Sequence, residues 1–408
     1  MRITQYVPIH SISRCLRRGA LPALVLVAAL CLKASEEAGA DFQWVPGDGE
    51  AAEFWRGEGA LPRMEAGQWE SPRIEVEPGA YYRISFRSKG ERGAFWGALF
   101  EDADAEPIIA DSHDSVDPGV AGDWGAQTAV VRTAAEAHSL FLRFHSVAGG
   151  YSFDALTVER VSREEARIEI DQWASELPLI AFFPPADRAE RLPRTTRTLL
   201  DGGKLRMVML GDSICNDTSQ SIFELLIMDA LPGVEVEVIT SVRGSTGAPW
   251  YQEAGRVETY VLRHNPDLVV LAGISHSYDV EAMRSVIRQV REGSDAEILV
   301  LNDSVTPHDQ MRRRAFSAAY MMRLYRNHDE AKVRREISQR IRDVELFPHR
   351  LRRMCQEEDV AFFDIRSAWD DYILRSGVPE KMLLRDAIHA NRLGKQVAGR
   401  LLYRYLVP

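Results

Sequence analysis

Residues 206–213 read RMVMLGDS, a short apolar run that ends in glycine, aspartate and serine. A continuous run of this length is typical of a strand that is buried on both faces of a parallel sheet. Similar runs follow at 234–240, 268–271, 298–301 and 360–363. Helical patterns separate them, at about 219–231, 281–291, 332–358 and 393–406. Strands that alternate with helices in this way predict an α/β domain over residues 204–408.

The first half of the chain has a different pattern. Runs rich in aromatic and β-branched residues predict an all-β sandwich over residues 41–161. These runs lie at 81–86, 94–100, 139–144 and 153–158. The layout resembles the jelly-roll carbohydrate-binding modules that are attached to secreted carbohydrate enzymes. Five of the 8 tryptophans lie in this half, at Trp44, Trp55, Trp69, Trp96 and Trp124. Their rings would either stack on sugars or fill the sandwich core, and both interpretations stay open.

Two segments flank the β half and do not belong to either domain. In residues 1–40, arginines precede an apolar run from 20 to 32 that is too short to cross about 30 Å of hydrocarbon. Small residues at 38–40 then fit a signal-peptide cleavage site, so we expect export to an extracellular or periplasmic location. A buried helix, a membrane anchor and lipidation at Cys31 are the alternatives. Residues 162–203 read as a helical connector followed by a linker.

The composition excludes several classes of protein. The chain has 408 residues, of which 45% are hydrophobic and 27% charged, the balance of a soluble globular protein. With 50 Lys and Arg against 60 Asp and Glu, the net charge of −10 disfavours nucleic acid as a partner. We expect no stable membrane insertion once the signal is cleaved. Cleavage would leave Cys215 and Cys355, which we expect to be free, buried thiols, with a bridge as the alternative.

The candidate catalytic residues follow the strands. In open α/β sheets, ligands bind outside the carboxyl ends of the strands, and Ser213 lies at the end of the first one. A serine hydroxyl is a poor nucleophile until a base takes its proton, and His389 is the candidate base. Asp386, three residues earlier, would fix the imidazole tautomer and stabilise the imidazolium. Such a mechanism needs no cofactor, and no pattern of metal ligands is present.

These segments resemble the SGNH hydrolases, the superfamily of GDSL-type esterases, over about residues 205–406. Gly211-Asp212-Ser213 matches the first block of the family, and Asp386-x-x-His389 matches its last block. The resemblance implies a flavodoxin-like, three-layer sandwich with Ser213 as the nucleophile. It also implies that the backbone amides of Ser213 and Gly244 donate to the oxyanion. We interpret Asp212 as a structural carboxylate that binds loop amides.

One block departs from the pattern of the family. The family usually has Gly-x-Asn-Asp after the third strand, where the Asn amide is an oxyanion donor, but this chain has Gly273-Ile274-Ser275-His276. The loss of one such donor can cost ~2.7–4 kcal/mol. Ser275, Asn216 and Asn302 are the candidates to replace it. Alternatively, the two backbone amides suffice.

The expected function is a secreted serine esterase that removes O-acetyl groups from a poly- or oligosaccharide through an acyl-enzyme on Ser213. Arg243, Trp250 and His276 follow the second and third strands, and we expect them to contact the substrate. An O-acetyltransferase, a lipase-like esterase and a non-catalytic glycan-binding protein remain alternatives, because an alcohol can clear an acyl-enzyme as water does and because the third block is altered.

Overall fold

The computed structural model describes residues 43–46, 54–58, 67–90, 94–115, 124–146, 151–302, 322, 324, 326 and 328–408. The predicted export signal, residues 1–40, lies outside the described residues. The side chains of Trp44 and Trp55 lie outside them as well.

The first half is a sandwich of two antiparallel sheets, as predicted. Its strands are β1 (Gln43–Pro46), β2 (Phe54–Glu58), β3 (Gly67–Glu70), β4 (Ile74–Glu75), β5 (Tyr81–Lys89), β6 (Ala94–Glu101), β7 (Pro107–Ser115), β8 (Gly125–Arg132), β9 (Ser139–Ser146) and β10 (Ser152–Val161). One sheet has the order β1-β2-β10-β5-β8, and the other has the order β3-β9-β6-β7 with β4 also paired to β9.

The alternation of apolar residues decides which side of each strand faces the core. In β5, the side chains of Tyr82, Ile84 and Phe86 point inward and are buried. Each such burial contributes ~1.5–3 kcal/mol. Trp96 lies in the same core, whereas Trp124 is 40% exposed. Of the tryptophans whose side chains are described, Trp96 thus packs in the core and Trp124 lies at the surface.

A helix follows the sandwich. Helix α1 (Arg163–Ser175) begins at Ser162, whose side chain accepts from the amide of Glu165 while the Glu165 carboxylate accepts from the amide of Ser162. This reciprocal capping satisfies two amides at the start of the helix. Two shorter helices, α2 (Arg188–Arg191) and α3 (Pro193–Asp201), lead into the second half.

The second half contains a five-stranded parallel sheet. Its strands are β11 (Lys204–Gly211), β12 (Glu235–Val242), β13 (Leu268–Leu271), β14 (Glu297–Leu301) and β15 (Ala361–Phe363). Their order is β12-β11-β13-β14-β15, which is the flavodoxin-like order 2-1-3-4-5 when counted from the first strand. The predicted α/β class with a parallel sheet is confirmed.

Helices cover both faces of this sheet. They are α4 (Ser213–Ser219), α5 (Glu224–Ala230), α6 (Ala248–Tyr251), α7 (Arg256–Tyr260), α8 (Val280–Gly293), α9 (Glu330–Glu357), α10 (Ile365–Ser376) and α11 (Arg392–Leu406), with 3-10 turns at Leu262–His264 and Glu380–Leu383. Met207 and Met209 of β11 pack toward α10 and α11, whereas Val208 and Leu210 pack toward α8 and α9. Cys215 and Cys355 are free, buried and on opposite faces. None of the described helices is both long and apolar enough to cross a membrane.

One predicted helix is wrong in its bounds. The sequence pattern predicts a single helix over 219–231, but the structure has α4 and α5 with a break between them. The first begins at Ser213 because the side chain of Asp212 accepts from the amide of Ile214 and so caps it. The break contains Ile222, whose φ of 58° is incompatible with a continuing α-helix.

The two halves pack directly on each other. Arg132 at the end of β8 forms a buried ion pair with Glu224 of α5. The hydroxyl of Tyr81 donates to the same carboxylate at 3.2 Å, and Arg132 also donates to the carbonyl of Ser219 at 3.3 Å. Apolar side chains of β5, β8, α1 and α5 form a shared cluster around this pair. The sandwich is therefore fixed against the helices next to β11.

Candidate active site

The turn after β11 is organised by Asp212, which is 1% exposed. One carboxylate oxygen accepts from the amide of Ile214 at 2.9 Å, and the other accepts from the amides of Ile274 and Ser275 at 2.9 and 2.8 Å. Asp212 thus joins the start of α4 to the loop after β13. These are the contacts of a structural carboxylate.

Two glycines allow the same loops to approach closely. A Cβ at Gly211 would lie 2.0 Å from the carbonyl oxygen of Ala272. A Cβ at Gly273 would lie 2.5 Å from a carboxylate oxygen of Asp212, and its φ of 116° is one that favours glycine. The ends of β11 and β13 can therefore approach each other closely just before Ser213.

The structure brings the three predicted catalytic residues together. The Nε2 atom of His389 lies 2.8 Å from the Oγ atom of Ser213, and its Nδ1 atom lies 2.7 Å from Oδ2 of Asp386. The serine and the histidine are 176 positions apart in the chain. This is the hydrogen-bonded series that a serine nucleophile requires: a hydroxyl, a base and a carboxylate that orients the base.

Neighbouring groups lower the pKa of Asp386. Burial raises the pKa of Asp386, but the hydrogen bond and charge of His389 outweigh this effect, together with the amides of Ile388 and His389. The result is a pKa of about 2. Asp386 is therefore ionised at neutral pH and can stabilise a positive charge on His389.

Asp386 and His389 share a tight loop before α11. The amide of Arg385 donates to the carbonyl of His389 at 3.0 Å, and the amide of Asn391 donates to the carbonyl of Leu383 at 3.0 Å. The side chain of Asn391 then caps α11 by accepting from its first amides. Because both ends of the loop are bonded, the aspartate and the histidine are held on the same side.

Gly244 and Ser275 occupy different environments near this series. Gly244 follows β12 in an exposed loop, and its amide donates to no other described residue. Ser275 is half-buried, and its amide is already bonded to Asp212. The Ser275 hydroxyl forms no hydrogen bond within the described part of the chain. Both residues thus have a donor available, the amide of Gly244 and the hydroxyl of Ser275.

The two asparagine candidates for the third oxyanion donor, Asn216 and Asn302, lie in different surroundings. Asn216 is buried in α4, three residues after Ser213. Asn302 at the end of β14 donates to Asp364 at 2.7 Å and accepts from the amide of Arg366 at 3.1 Å. The Asn302 amide therefore holds the start of α10. Because these bonds occupy the nitrogen and the oxygen of the amide, the expected role of Asn302 as an oxyanion donor is wrong.

Arg243, which is exposed, and Trp250, which is half-buried, lie beside the nucleophile turn. The guanidinium of Arg243 lies 4.7 Å from the centroid of the Trp250 ring, and that of Arg256 lies 4.0 Å from it. Trp250 in turn contacts Tyr251 edge-on, and the Tyr251 hydroxyl donates to the carbonyl of Gly211 at 2.6 Å. This anchoring by Tyr251 is a contact that the sequence did not predict.

His276 does not take the position expected of it. Its ring is 5% exposed, and its Nδ1 atom accepts from the amide of Ala248 at 3.1 Å. Burial lowers the pKa of His276, which keeps the ring neutral. The residue anchors the loop before α6, so the predicted substrate contact by His276 is wrong. No cluster of three or more metal-binding side chains occurs among the described residues.

No protein-family model and no curated protein matches this chain. Its fold is similar to that of a two-domain esterase active on acetylated mannans, with 15% identity, a TM-score of 0.38 and coverage of 53% of each chain. It is similar to an acetyl xylan esterase from Geobacillus stearothermophilus, with 14% identity, a TM-score of 0.35 and coverage of 50% of this chain and 94% of that one. The C-terminal carbohydrate-binding module of a laminarinase from Zobellia galactanivorans matches 29% of this chain and 88% of its own length, with 18% identity and a TM-score of 0.19. The chain spans about half the length of the two-domain esterase.

Proposed function

We propose that this protein is a serine ester hydrolase. The observation that carries the proposal is the hydrogen-bonded series of Asp386, His389 and Ser213, in which both bonds are shorter than 3 Å. The series lies at the carboxyl end of β11, where ligands bind in open α/β sheets. Its three members match the first and last blocks of the GDSL-type pattern in the correct order.

The geometry supports a double-displacement reaction. His389 accepts the hydroxyl proton as the Oγ atom of Ser213 attacks the ester carbonyl, and Asp386 stabilises the imidazolium that forms. The amides of Ser213 and Gly244 then donate to the oxyanion, with Ser275 or Asn216 as a third donor. His389 returns the proton to the leaving alcohol. Water, activated by the same imidazole, clears the acyl group from Ser213.

The substrate class that we propose is an O-acetylated poly- or oligosaccharide. The exposed Arg243 and the half-buried ring of Trp250 beside the site support this class, because an aromatic ring and a guanidinium both bind sugars and their polar substituents. Trp124 on the sandwich is exposed, and its ring centroid lies 5.4 Å from the guanidinium of Arg87, so we propose these two side chains as a sugar-binding surface of that half. We also propose that residues 1–40 are an export signal and that the reaction takes place outside the cytoplasm.

The test is acetate release from acetylated xylan, acetylated pectin and acetylated monosaccharides. Ser213→Ala should lower kcat by at least about 10⁴-fold, because the nucleophile is removed. Ser338→Ala, which changes an exposed serine of α9, is the matched control and should keep full activity. Equal release by Ser213→Ala and the unaltered protein would refute the mechanism.

The alternatives give other results in the same assay. An O-acetyltransferase would transfer the acyl group to an added sugar faster than to water. A lipase-like esterase would prefer long-chain esters to acetylated sugars. A glycan-binding protein without activity would release nothing, and Ser213 would not react with a phosphonate probe.

A further inference from the structure

A second buried ion pair joins the two segments that carry the proposed catalytic residues. Asp217 lies on α4, four residues after Ser213, and is 1% exposed. Arg385 directly precedes Asp386, and its side chain is 8% exposed. The Nη1 atom of Arg385 donates to Oδ1 of Asp217 at 2.7 Å. The pair therefore links the helix of the nucleophile to the loop of the base.

The same guanidinium also holds the far end of that loop. Nη1 of Arg385 donates to the carbonyl of Ala390 at 2.9 Å, so its contacts enclose Asp386 and His389. On the other side, the Nζ atom of Lys395 lies 3.9 Å from Oδ1 of Asp217, and this lysine is also buried. Asp217 thus lies between two buried cations. Because an unpaired buried charge is strongly unfavourable, this arrangement has little freedom to shift.

We infer that Asp217 and Arg385 are the positioning pair that fixes the distance between Ser213 and His389. Neither residue belongs to the predicted catalytic series, and each acts through a backbone segment that carries a member of it. The inference rests on the proposed function, because it assigns a role in activating Ser213. A displacement of about 1 Å at a reacting group can cost 10²-fold in rate, so a pair that sets this distance affects kcat rather than KM.

The test uses the full chain and a fluorophosphonate probe, which needs no knowledge of the natural substrate. The Oγ atom of Ser213 forms a bond to phosphorus, the bond from phosphorus to fluorine breaks, the hydroxyl proton passes to His389 and fluoride leaves. The rate constant of this labelling reports how well His389 activates Ser213. It is measured for the unaltered protein, Asp217→Asn, Arg385→Lys and Ser213→Ala.

A matched control separates positioning from stability. Glu358 is also a buried carboxylate paired with an arginine, Arg284, at 2.7 Å. It follows the last residue of α9 and lies three residues before β15, so it is at the amino ends of the strands, opposite to Ser213. Glu358→Gln should lower the thermal unfolding temperature and leave the labelling rate unchanged.

We expect Asp217→Asn and Arg385→Lys to slow labelling at least about tenfold. Asp217→Asn removes the charge that pairs with Arg385, and Arg385→Lys replaces the rigid guanidinium that donates to both Asp217 and Ala390 by a flexible ammonium. The same variants should lower kcat on p-nitrophenyl acetate and leave KM within twofold. Arg385→Lys keeps a cation beside Asp217, so it remains informative if Asp217→Asn does not fold. Labelling of both variants at the unaltered rate would overturn the inference. Absence of labelling in the unaltered protein, or equal labelling of Ser213→Ala, would instead refute the proposed function.

Discussion

At Gly244 the effect of losing the backbone N–H can be separated from the effect of adding a side chain. A Cβ there would meet nothing within 4 Å, so Gly244→Ala should keep both the fold and the N–H group. Gly244→Pro removes that N–H and should lower kcat about 10²- to 10³-fold, the usual effect of losing one oxyanion donor. Both variants are compared by kcat on the best acetylated substrate and by circular dichroism. If folded Gly244→Pro keeps full kcat, this amide is not a donor.

The low pKa of Asp386 predicts how the stability of the fold changes with pH. Its pKa falls from the usual 3.8 to about 2 in the folded protein, so it stabilises the fold above pH 4 and this contribution is lost as the pH falls toward 2. Asp386→Asn should therefore show a smaller loss of stability between pH 5 and pH 2.5 in urea unfolding. At neutral pH the same variant should lower kcat about 10⁴-fold, because His389 loses its orienting acceptor. An unchanged acid dependence of stability would contradict the low pKa.

The sequence predicts some residues of the site better than others. Ser213, Asp386 and His389 form one hydrogen-bonded series in the structure, and the sequence points to them because each lies in a short motif whose chemistry is local. The supposed donor role of Asn302 is wrong because its partner Asp364 lies 62 positions further along and is brought near only by the fold. The predicted substrate contact by His276 is wrong for the same reason, because the burial of its ring depends on the loop that contains Ala248.

The turn between β11 and α4 depends on Asp212 and its three amide partners. An asparagine there has one acceptor oxygen and directs its NH₂ group at amide donors, so Asp212→Asn should lower the free energy of unfolding by ~1–3 kcal/mol. Asp329 is the matched control, because it caps α9 in an exposed position and asparagine caps helices equally well. Urea unfolding of both variants measures the difference. Equal, small effects would show that the three buried bonds do not stabilise this turn.

Helix and strand positions follow from periodicity only where one face of an element is exposed or the apolar run is continuous. The five strands of the parallel sheet agree with prediction within about two residues. Four of them contain a continuous apolar run, and β12 alternates apolar residues with Glu235 and Glu237. Helix α4 has no amphipathic pattern, since every residue after Ser213 in it is buried. Its start is therefore set by the Asp212 cap, a signal that periodicity does not contain.

On the scale of the whole molecule, composition predicts the two halves but not their contact. The aromatic runs indicate a sandwich, and the alternating strands and helices indicate an α/β sheet. The contact between them depends on Arg132 and Glu224, which are 92 positions apart and have no local motif. Because Arg132 also reaches the end of α4, the sandwich supports the helix that carries Ser213. The β half is thus a structural part of the enzyme that we propose, whether or not it also binds glycan.

This contact predicts that the two halves unfold together. Arg132→Met leaves Glu224 buried without its cation and should cost ~3–5 kcal/mol in urea unfolding, whereas the double variant with Glu224→Leu should recover part of that loss. Arg263→Met is the matched control, because its pair with Glu136 also joins the halves but is about half exposed, and such pairs contribute only ~0–1 kcal/mol. If Arg132→Met and Arg263→Met cost the same, the buried pair does not hold the halves together. A single transition in the unaltered protein that separates into two in Arg132→Met would show that the pair makes their unfolding cooperative.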